Sequence, residues 1–518
     1  MYRLSFLLCW WPLLLPAQDF TARLDRMLEA NFTPDAPGIS LLVYQEDRVL
    51  YARQRGLAEL SHDVPLGSTT RFSVGSLTKQ FTAALVLHLQ DRGLLDVQDS
   101  VGRYLPTFRA PITLHQLLNH TSGMPDYPRD PELRARMRNG LTPPDVLRWA
   151  ATQAPAFPPG TEYAYSNTGY FLLGAIIESV TGSTYEEVLR QRIFAPAGMK
   201  HSSCQDFFGV QPRRATGYDR DDTGAVVLAT PHAYSYAAGG IFSTAADLAR
   251  WHTYLQGEKF LSPAARTAIF SDTGYGWEKA SLAGQDTWEH TGYEPGFKAS
   301  CVYVPEAELY VVALQNTEAG SATPFVLRTA ALALGTPFPA WEEAPSPPPT
   351  ATAFTGRFTF PGNKVREVRR QDDRLFWHSP GRVDQPLFFR NDSTLFFREG
   401  YRQLVFSPDY ATVRYRGRTE RIRGVRTGEV AQSSGQATEL DPTALEAYVG
   451  DYRTEAFTVH IFRRAEELFA QPEGSDALAL TPVGEGKFRI PAIGAELTFS
   501  AGELTILLDG QTLRGRRQ

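Results

Sequence analysis

Ser76 and Lys79 stand three residues apart in Phe72-Ser73-Val74-Gly75-Ser76-Leu77-Thr78-Lys79, and the residues that follow, Gln80 to Val86, read as an amphipathic helix. Positions three apart on a helix share a face, so the hydroxyl and the amine come within reach of each other. The choice of lysine is informative. The chain has seven lysines against 45 arginines, and of the two only lysine readily gives up its proton inside a protein. A serine beside such an amine is an activated nucleophile. Taken alone, the same spacing also fits a serine and a lysine on a solvated helix face.

Two further groups have suitable chemistry. Tyr165-Ser166-Asn167 precedes an apolar helix, Phe171 to Val180, and sets a phenol and an amide two residues apart on a loop. A phenol beside an ammonium is expected to have a lowered pKa and to serve as a general base toward the serine. The bland alternative is a packed aromatic and a helix cap. His290-Thr291-Gly292-Tyr293 comes just before a pair of strands. Its glycine would let a substrate backbone approach closely, and His290 offers a donor or partial cation near neutral pH.

The elements that must position these groups can be read around them. A helical opening, Asp19 to Ala30, is followed by a hairpin, Ile39 to Tyr44 and Arg48 to Ala52. From Leu77 to Phe194 the pattern is mostly helical, and two more strands, Ala299 to Val304 and Leu309 to Leu314, turn at Pro305 to Glu308. Strands at both ends with helices between them predict an α+β fold: one antiparallel sheet closed by distant segments, flanked by helices, with a helical region inserted. The proline-dense stretch 338–352 reads as an extended linker. Beyond it Phe354-Thr355-Gly356-Arg357-Phe358 recurs as Tyr448-Val449-Gly450-Asp451-Tyr452, ninety-four residues on. Arg374-Leu375-Phe376 and Phe406-Ser407 recur as Glu467-Leu468-Phe469 and Phe499-Ser500 at nearly the same offset. Two small antiparallel β-barrel-like repeats follow, 353–426 and 443–518, with a second linker at 427–442; one larger barrel built from both copies is the alternative.

A formal charge of −5 and a pI near 6.1 argue against nucleic acid as a partner. Residues 1–17 have a basic start, an apolar run and a small residue at the end, the pattern of a cleaved secretory signal, with a retained membrane anchor as the lesser reading. The expectation is an exported chain, periplasmic or extracellular, with no stable membrane span after cleavage. Cys204 and Cys301 are too few for a disulfide framework, and whether they pair is open. There is no Gly-x-Ser-x-Gly elbow, metal-ligand motif, phosphate loop or dinucleotide fingerprint, and no cofactor or metal is implied.

Ser76-x-x-Lys79, Tyr165-x-Asn167 and His290-Thr291-Gly292, in that order, resemble the penicillin-recognising serine hydrolases: class C β-lactamases, D-alanyl-D-alanine carboxypeptidases, D-aminopeptidases and related esterases. Leu117 to Pro125 (Leu-Leu-Asn-His-Thr-Ser-Gly-Met-Pro) and Gly239 to Leu248 are phrases of the same group, and the resemblance spans about residues 25 to 330 within a hydrolase domain of 18–337. It implies that Ser76 is the nucleophile, Lys79 the proton partner that tunes it, and Tyr165 the base that also protonates the leaving group. Asn167, His290, Thr291 and Gly292 would contact substrate, and the backbone N–H groups of Ser76 and Tyr293 would form an oxyanion hole. β-Lactamases carry Lys-Thr-Gly where this chain has His290-Thr291-Gly292, so a fixed positive charge for a substrate carboxylate is missing. The histidine, the length and the two trailing lipocalin-like β-repeats look like the D-aminopeptidase branch, whose extra barrels limit access to the cleft; a spacer or stabilising role fits the repeats equally well. The implied activity is acyl-enzyme hydrolysis of an amide or ester, with a short D-peptide or small ester as substrate. The alternatives are a β-lactamase or carboxypeptidase acting on cell-wall-related substrates, and an inactive binding protein on the same fold.

Overall fold

The computed structural model describes Ala17 to Arg517, apart from residues 138–140, 205–210, 222–223, 231–234, 372, 381–383, 429–441, 455–457, 465–466, 473–477, 485, 491–494, 501 and 509–510. The expected signal segment lies outside the described residues except for Ala17, which opens helix α1 (Ala17–Asn31). The chain divides into two compact units, Met1–Phe338 and Pro339–Gln518.

In the first unit, β1 (Ile39–Gln45) and β2 (Arg48–Arg55) form the expected hairpin, and β3 (Glu278–Leu282), β4 (Gln285–Glu294), β5 (Phe297–Val304) and β6 (Leu309–Gln315) complete one antiparallel sheet in the order β3-β4-β5-β6-β1-β2. β1 joins the two halves by pairing with β6 from Ile39–Gln315 to Gln45–Leu309. β6 is buried along its whole length because both faces of the sheet are covered, which is why it reads as a continuous apolar run rather than an alternation. The edge strand β2 is largely exposed and carries Arg48, Arg53 and Arg55, charges that keep an open edge from pairing with another chain.

Helix α2 (Thr78–Asp91) is the centre of the helical layer. Every residue from Thr78 to Leu89 is buried, so the amphipathic helix expected here is instead covered on all sides, the mark of a core helix. It packs against α3 (Asn167–Thr181) and the short turn Tyr236–Gly239. Helix α4 (Ala245–Gln256) starts at Thr244, whose hydroxyl accepts from Asp247 N at 3.1 Å. Both remaining cysteines are free thiols, and Cys301 accepts a hydrogen bond from Gln80 Nε2 at 3.2 Å.

The second unit contains two closed antiparallel barrels of eight strands, each joined in sequence order and shut by its first strand pairing with its last. The single larger barrel is therefore ruled out. The first runs from Gly356–Phe360 to Arg418–Gly428, so its last strand enters the stretch expected to begin a linker at 427; residues 429–441 of that linker lie outside the described residues. Nor is 338–352 extended throughout: Pro349–Phe354 coils into a 3-10 helix with Ala351 and Phe354 buried. The repeat is exact in one further detail. Arg426 on the last strand of the first barrel donates to Ala353 O at 2.9 Å and Thr355 O at 2.6 Å, and Arg517 does the same to Ala447 O and Val449 O in the second. These arginines tie each barrel's closing strand to the chain that enters it. Each barrel holds a buried apolar cluster, with Phe358, Leu375 and Trp377 in one and Tyr452, Ile461 and Phe488 in the other.

Candidate active site

Ser76 lies in a 3-10 turn, Gly75–Leu77, that runs straight into α2. The turn is pressed against β4, and two glycines allow it. Gly75 has φ +52°, and a Cβ there would meet Tyr293 N at 2.5 Å; a Cβ on Gly292 would meet Val74 O at 2.0 Å. The Tyr293 amide is thereby set beside the nucleophile's own turn.

One turn on from Ser76, at the second residue of α2, Lys79 is fully buried. Its Nζ lies 3.1 Å from Ser76 Oγ, 2.8 Å from Asn167 Oδ1 and 2.8 Å from Ala238 O, which excludes the solvated-face reading of the motif. Two of these three partners, the amide and carbonyl oxygens, can only accept. The third is a hydroxyl, which can donate as well. A neutral amine therefore spends its two hydrogens on Asn167 and Ala238 and turns its lone pair to the Ser76 O–H. Burial drives the Lys79 pKa down to about 7, with Asp126 and Glu294 pulling it back up.

Asn167 is held by Asp126, whose Oδ1 accepts from Asn167 N at 2.7 Å and whose Oδ2 accepts from Nδ2 at 3.3 Å. This leaves Oδ1 of Asn167 for Lys79 and one Nδ2 hydrogen for another acceptor. Burial raises the Asp126 carboxyl above its ordinary value.

Tyr165 is brought to the same place, with Lys79 Nζ 4.8 Å from its ring centroid. Its expected pKa depression is not found. Burial pushes the phenol up, and a hydrogen bond with Ser76 offsets this only in part. The resting phenol is thus a proton donor, not a phenolate. His120 stacks on Tyr165 at 4.4 Å between centroids, and its Nδ1 accepts from Ser166 N at 3.1 Å, so it is neutral, as its strongly burial-lowered pKa requires. It also adopts φ +60°, a conformation uncommon outside glycine. Its place is behind the Tyr165 phenol.

His290 is buried on β4, 6.4 Å from Tyr165 between ring centroids. Burial, then repulsion by Lys79, lower its pKa to about 4. Its Nδ1–H donates to Thr291 O at 2.7 Å, so the partial cation expected from the sequence is absent near neutral pH. Thr291 and Tyr293 are exposed on the opposite face of the strand, and the Tyr293 hydroxyl donates to Glu318 at 3.0 Å. The structure therefore gathers Ser76, Lys79, Tyr165, Asn167, His290, Gly292 and the Tyr293 backbone around one turn.

Sequence reading missed Asp126, the Ala238 carbonyl and Glu294. Asp126 directly follows the Leu117 to Pro125 phrase, and Ala238 directly precedes the Gly239 to Leu248 phrase, so proximity to those phrases was the available signal.

A profile of the Beta-lactamase family matches residues 22–335. Penicillin-binding protein 4* of Bacillus subtilis (strain 168) is 26% identical over 403 residues, covering 69% of this chain and 87% of that protein. A D-aminopeptidase of Cereibacter sphaeroides (strain ATCC 17029 / ATH 2.4.9) is 28% identical over 314 residues, 58% of this chain and 60% of that enzyme. The octameric penicillin-binding protein homologue from Pyrococcus abyssi shares the fold with a TM-score of 0.58 at 22% identity, over 89% of this chain and 100% of that one.

Proposed function

We propose, on the premise that this chain belongs to the Beta-lactamase family, that it hydrolyses a small amide or ester through an acyl-enzyme on Ser76. The observation that carries this reading is the coordination of Lys79 by two acceptor-only oxygens and one hydroxyl, at a pKa of about 7. The neutral amine takes the Ser76 proton as Oγ attacks the carbonyl carbon. The Ser76 and Tyr293 N–H groups stabilise the oxyanion. The proton passes from Lys79 through Tyr165, which gives up its own as it receives the next, to the leaving amine or alcohol as the C–N or C–O bond breaks. Water then attacks the ester with the same groups acting in reverse. The free Asn167 Nδ2 hydrogen would bind substrate; Thr291, expected to do the same, lies on the other face of β4.

Neutral His290 disfavours substrates read by a carboxylate, so D-peptides and esters stand ahead of β-lactams and cell-wall peptides. Export to a periplasm or the exterior and a lipocalin-like character of the barrels are part of this proposal. Wild type and Ser76→Ala are compared on D-alanine p-nitroanilide, p-nitrophenyl acetate and a chromogenic cephalosporin, with a fluorophosphonate probe to label the nucleophile. Turnover of the first two and labelling, both lost in Ser76→Ala, are expected. Preferred cephalosporin turnover would favour the β-lactamase reading, and absence of any labelling would favour a binding protein.

A further inference from the structure

The charge of the molecule is unevenly spread. The first barrel, Gly356 to Gly428, carries fifteen arginines and one lysine against eight acids, a formal +8 inside a chain of −5, while the second, Gly450 to Arg517, has eight cations and ten acids. The excess is densest in the first barrel's last two strands, Tyr410–Tyr415 and Arg418–Gly428. With the turn between them they hold six arginines and one acid. The fold does not demand this charge. At the ninety-three-residue offset of the repeat, Arg414, Arg416 and Arg418 correspond to Leu507, Asp509 and Gln511. The arginine that closes each barrel is shared, whereas these three are confined to the first copy. Gathered like charges repel and weaken the compact state, and Arg414 and Arg423 form no ion pair among the described residues. Apolar side chains stand among the cations. Gly424 faces the Phe360 ring inside the barrel, so the alternation along the strand places Arg423 and Val425 outside. Arg423 lies over the Tyr410 ring, 4.1 Å from its centroid, and Arg416 lies over that of Tyr415 at 5.4 Å. Tyr415, Ile422 and Val425 are 37%, 47% and 56% exposed.

We propose that this hairpin docks the first barrel on the surface of an anionic lipid bilayer, with its arginines at the phosphate headgroups and Tyr415, Ile422 and Val425 at the acyl boundary. Cations alone would suit any polyanion, a nucleic acid or an acidic polysaccharide included. Exposed aliphatic side chains between the cations gain most from a partner with an apolar layer beneath its charge. A bilayer has such a layer and a soluble polymer lacks it. The guanidinium keeps its charge and binds phosphate oxygens in pairs. Docking of this kind does not depend on the chemistry at Ser76.

The test is co-sedimentation of the expected mature chain, Gln18 to Gln518, with vesicles; residues 1–17 are left off so that they cannot anchor it. Vesicles of phosphatidylcholine are compared with vesicles of equal parts phosphatidylcholine and phosphatidylglycerol. Binding is expected on the anionic vesicles alone and should weaken as salt is raised. The double variant Arg416→Asp, Arg418→Gln carries the second barrel's residues at these positions and should weaken binding about 100-fold. Arg416 and Gly417 turn the hairpin with φ +51° and +85°, where Asp-Gly is a favoured pair, so the variant should fold, and an unchanged thermal unfolding curve checks that it does. Ile422→Thr with Val425→Thr should weaken vesicle binding about tenfold and leave retention on dextran sulfate as it was. Equal binding to both vesicle types, absence of binding to either, or full binding by Arg416→Asp, Arg418→Gln overturns the proposal. Unaltered vesicle binding in the threonine variant, with wild type retained on dextran sulfate or single-stranded DNA, would assign the surface to a soluble polyanion and overturn the bilayer as its partner.

Discussion

Two buried charged residues, one in each unit, meet opposite fates. Glu367, on the second strand of the first barrel, is 7% exposed, yet Arg357 Nε reaches its Oε1 at 2.9 Å and Arg369 Nη2 its Oε2 at 2.6 Å. Burial pushes its pKa up, but the two guanidiniums outweigh that and hold it below the ordinary value. Lys79 is wholly buried and forms no ion pair among the described residues; its contacts are neutral oxygens, and its pKa falls to about 7. A buried charge that is paired stays charged and holds structure together, whereas one given only dipoles titrates where chemistry needs it. The difference lies in the partners, not in the depth of burial.

The harshest way to break this comparison is Lys79→Arg, which keeps a cation and removes its ability to lose a proton. If titration is the function of this lysine, kcat/KM should fall by about 10³-fold to 10⁴-fold, close to the loss in Ser76→Ala. A loss below tenfold on p-nitrophenyl acetate would mean that Lys79 serves only as a fixed charge. Tyr165→Phe is expected to cost less, about 10²-fold, with the larger share on p-nitroanilides, whose leaving amine needs a proton more than a phenolate does. Equal losses on both substrates would remove Tyr165 from leaving-group protonation.

The pH profile sharpens the same point with a smaller effect. Lys79 must be neutral to accept the Ser76 proton, and its pKa is lowered, so the active form predominates above about pH 7. Below that value kcat/KM should drop about tenfold per pH unit, and above it the profile should flatten. A rising limb centred near the ordinary lysine value would show that burial does not tune this amine.

Much of this was legible in the chain. Four of the six sheet strands, β1, β2, β5 and β6, and the helix after Ser76 were read from their patterns, while β3 and β4, the latter carrying His290, were not; the recurrence of Phe354 to Phe358 at Tyr448 to Tyr452 marked the two barrels. Ser76, Lys79, Tyr165, Asn167 and His290 were legible because their side chains have chemistry of their own. What escaped was set by three-dimensional surroundings. Ala238 acts through a carbonyl that every residue has, and Asp126 acts on Asn167 across 41 positions of sequence. Tyr165 reads as a potential base until burial reverses the sign of its shift. The last barrel strand ran past 426 because Arg426 and its neighbours belong to the closing pair rather than to a polar linker.

The mildest test addresses the paired member. Arg357 and Glu367 sit directly opposite on adjacent strands, and Arg369 follows on the same face, so the carboxylate is gripped from both sides of one cross-strand pair. Arg369→Met keeps much of the aliphatic bulk and removes one grip. The expected cost is about 1 to 3 kcal/mol of barrel stability, seen as an earlier urea transition in tryptophan fluorescence, with turnover of p-nitrophenyl acetate unchanged. Because Glu367 is held below its ordinary pKa, the stabilisation it provides is present at neutral pH and is lost as the pH falls through the folded value. The gap between wild type and variant should therefore narrow in acid. A gap that persists after Glu367 is protonated would show that Arg369 acts by packing instead of charge, and the contrast with Lys79 would then rest on Arg357 alone.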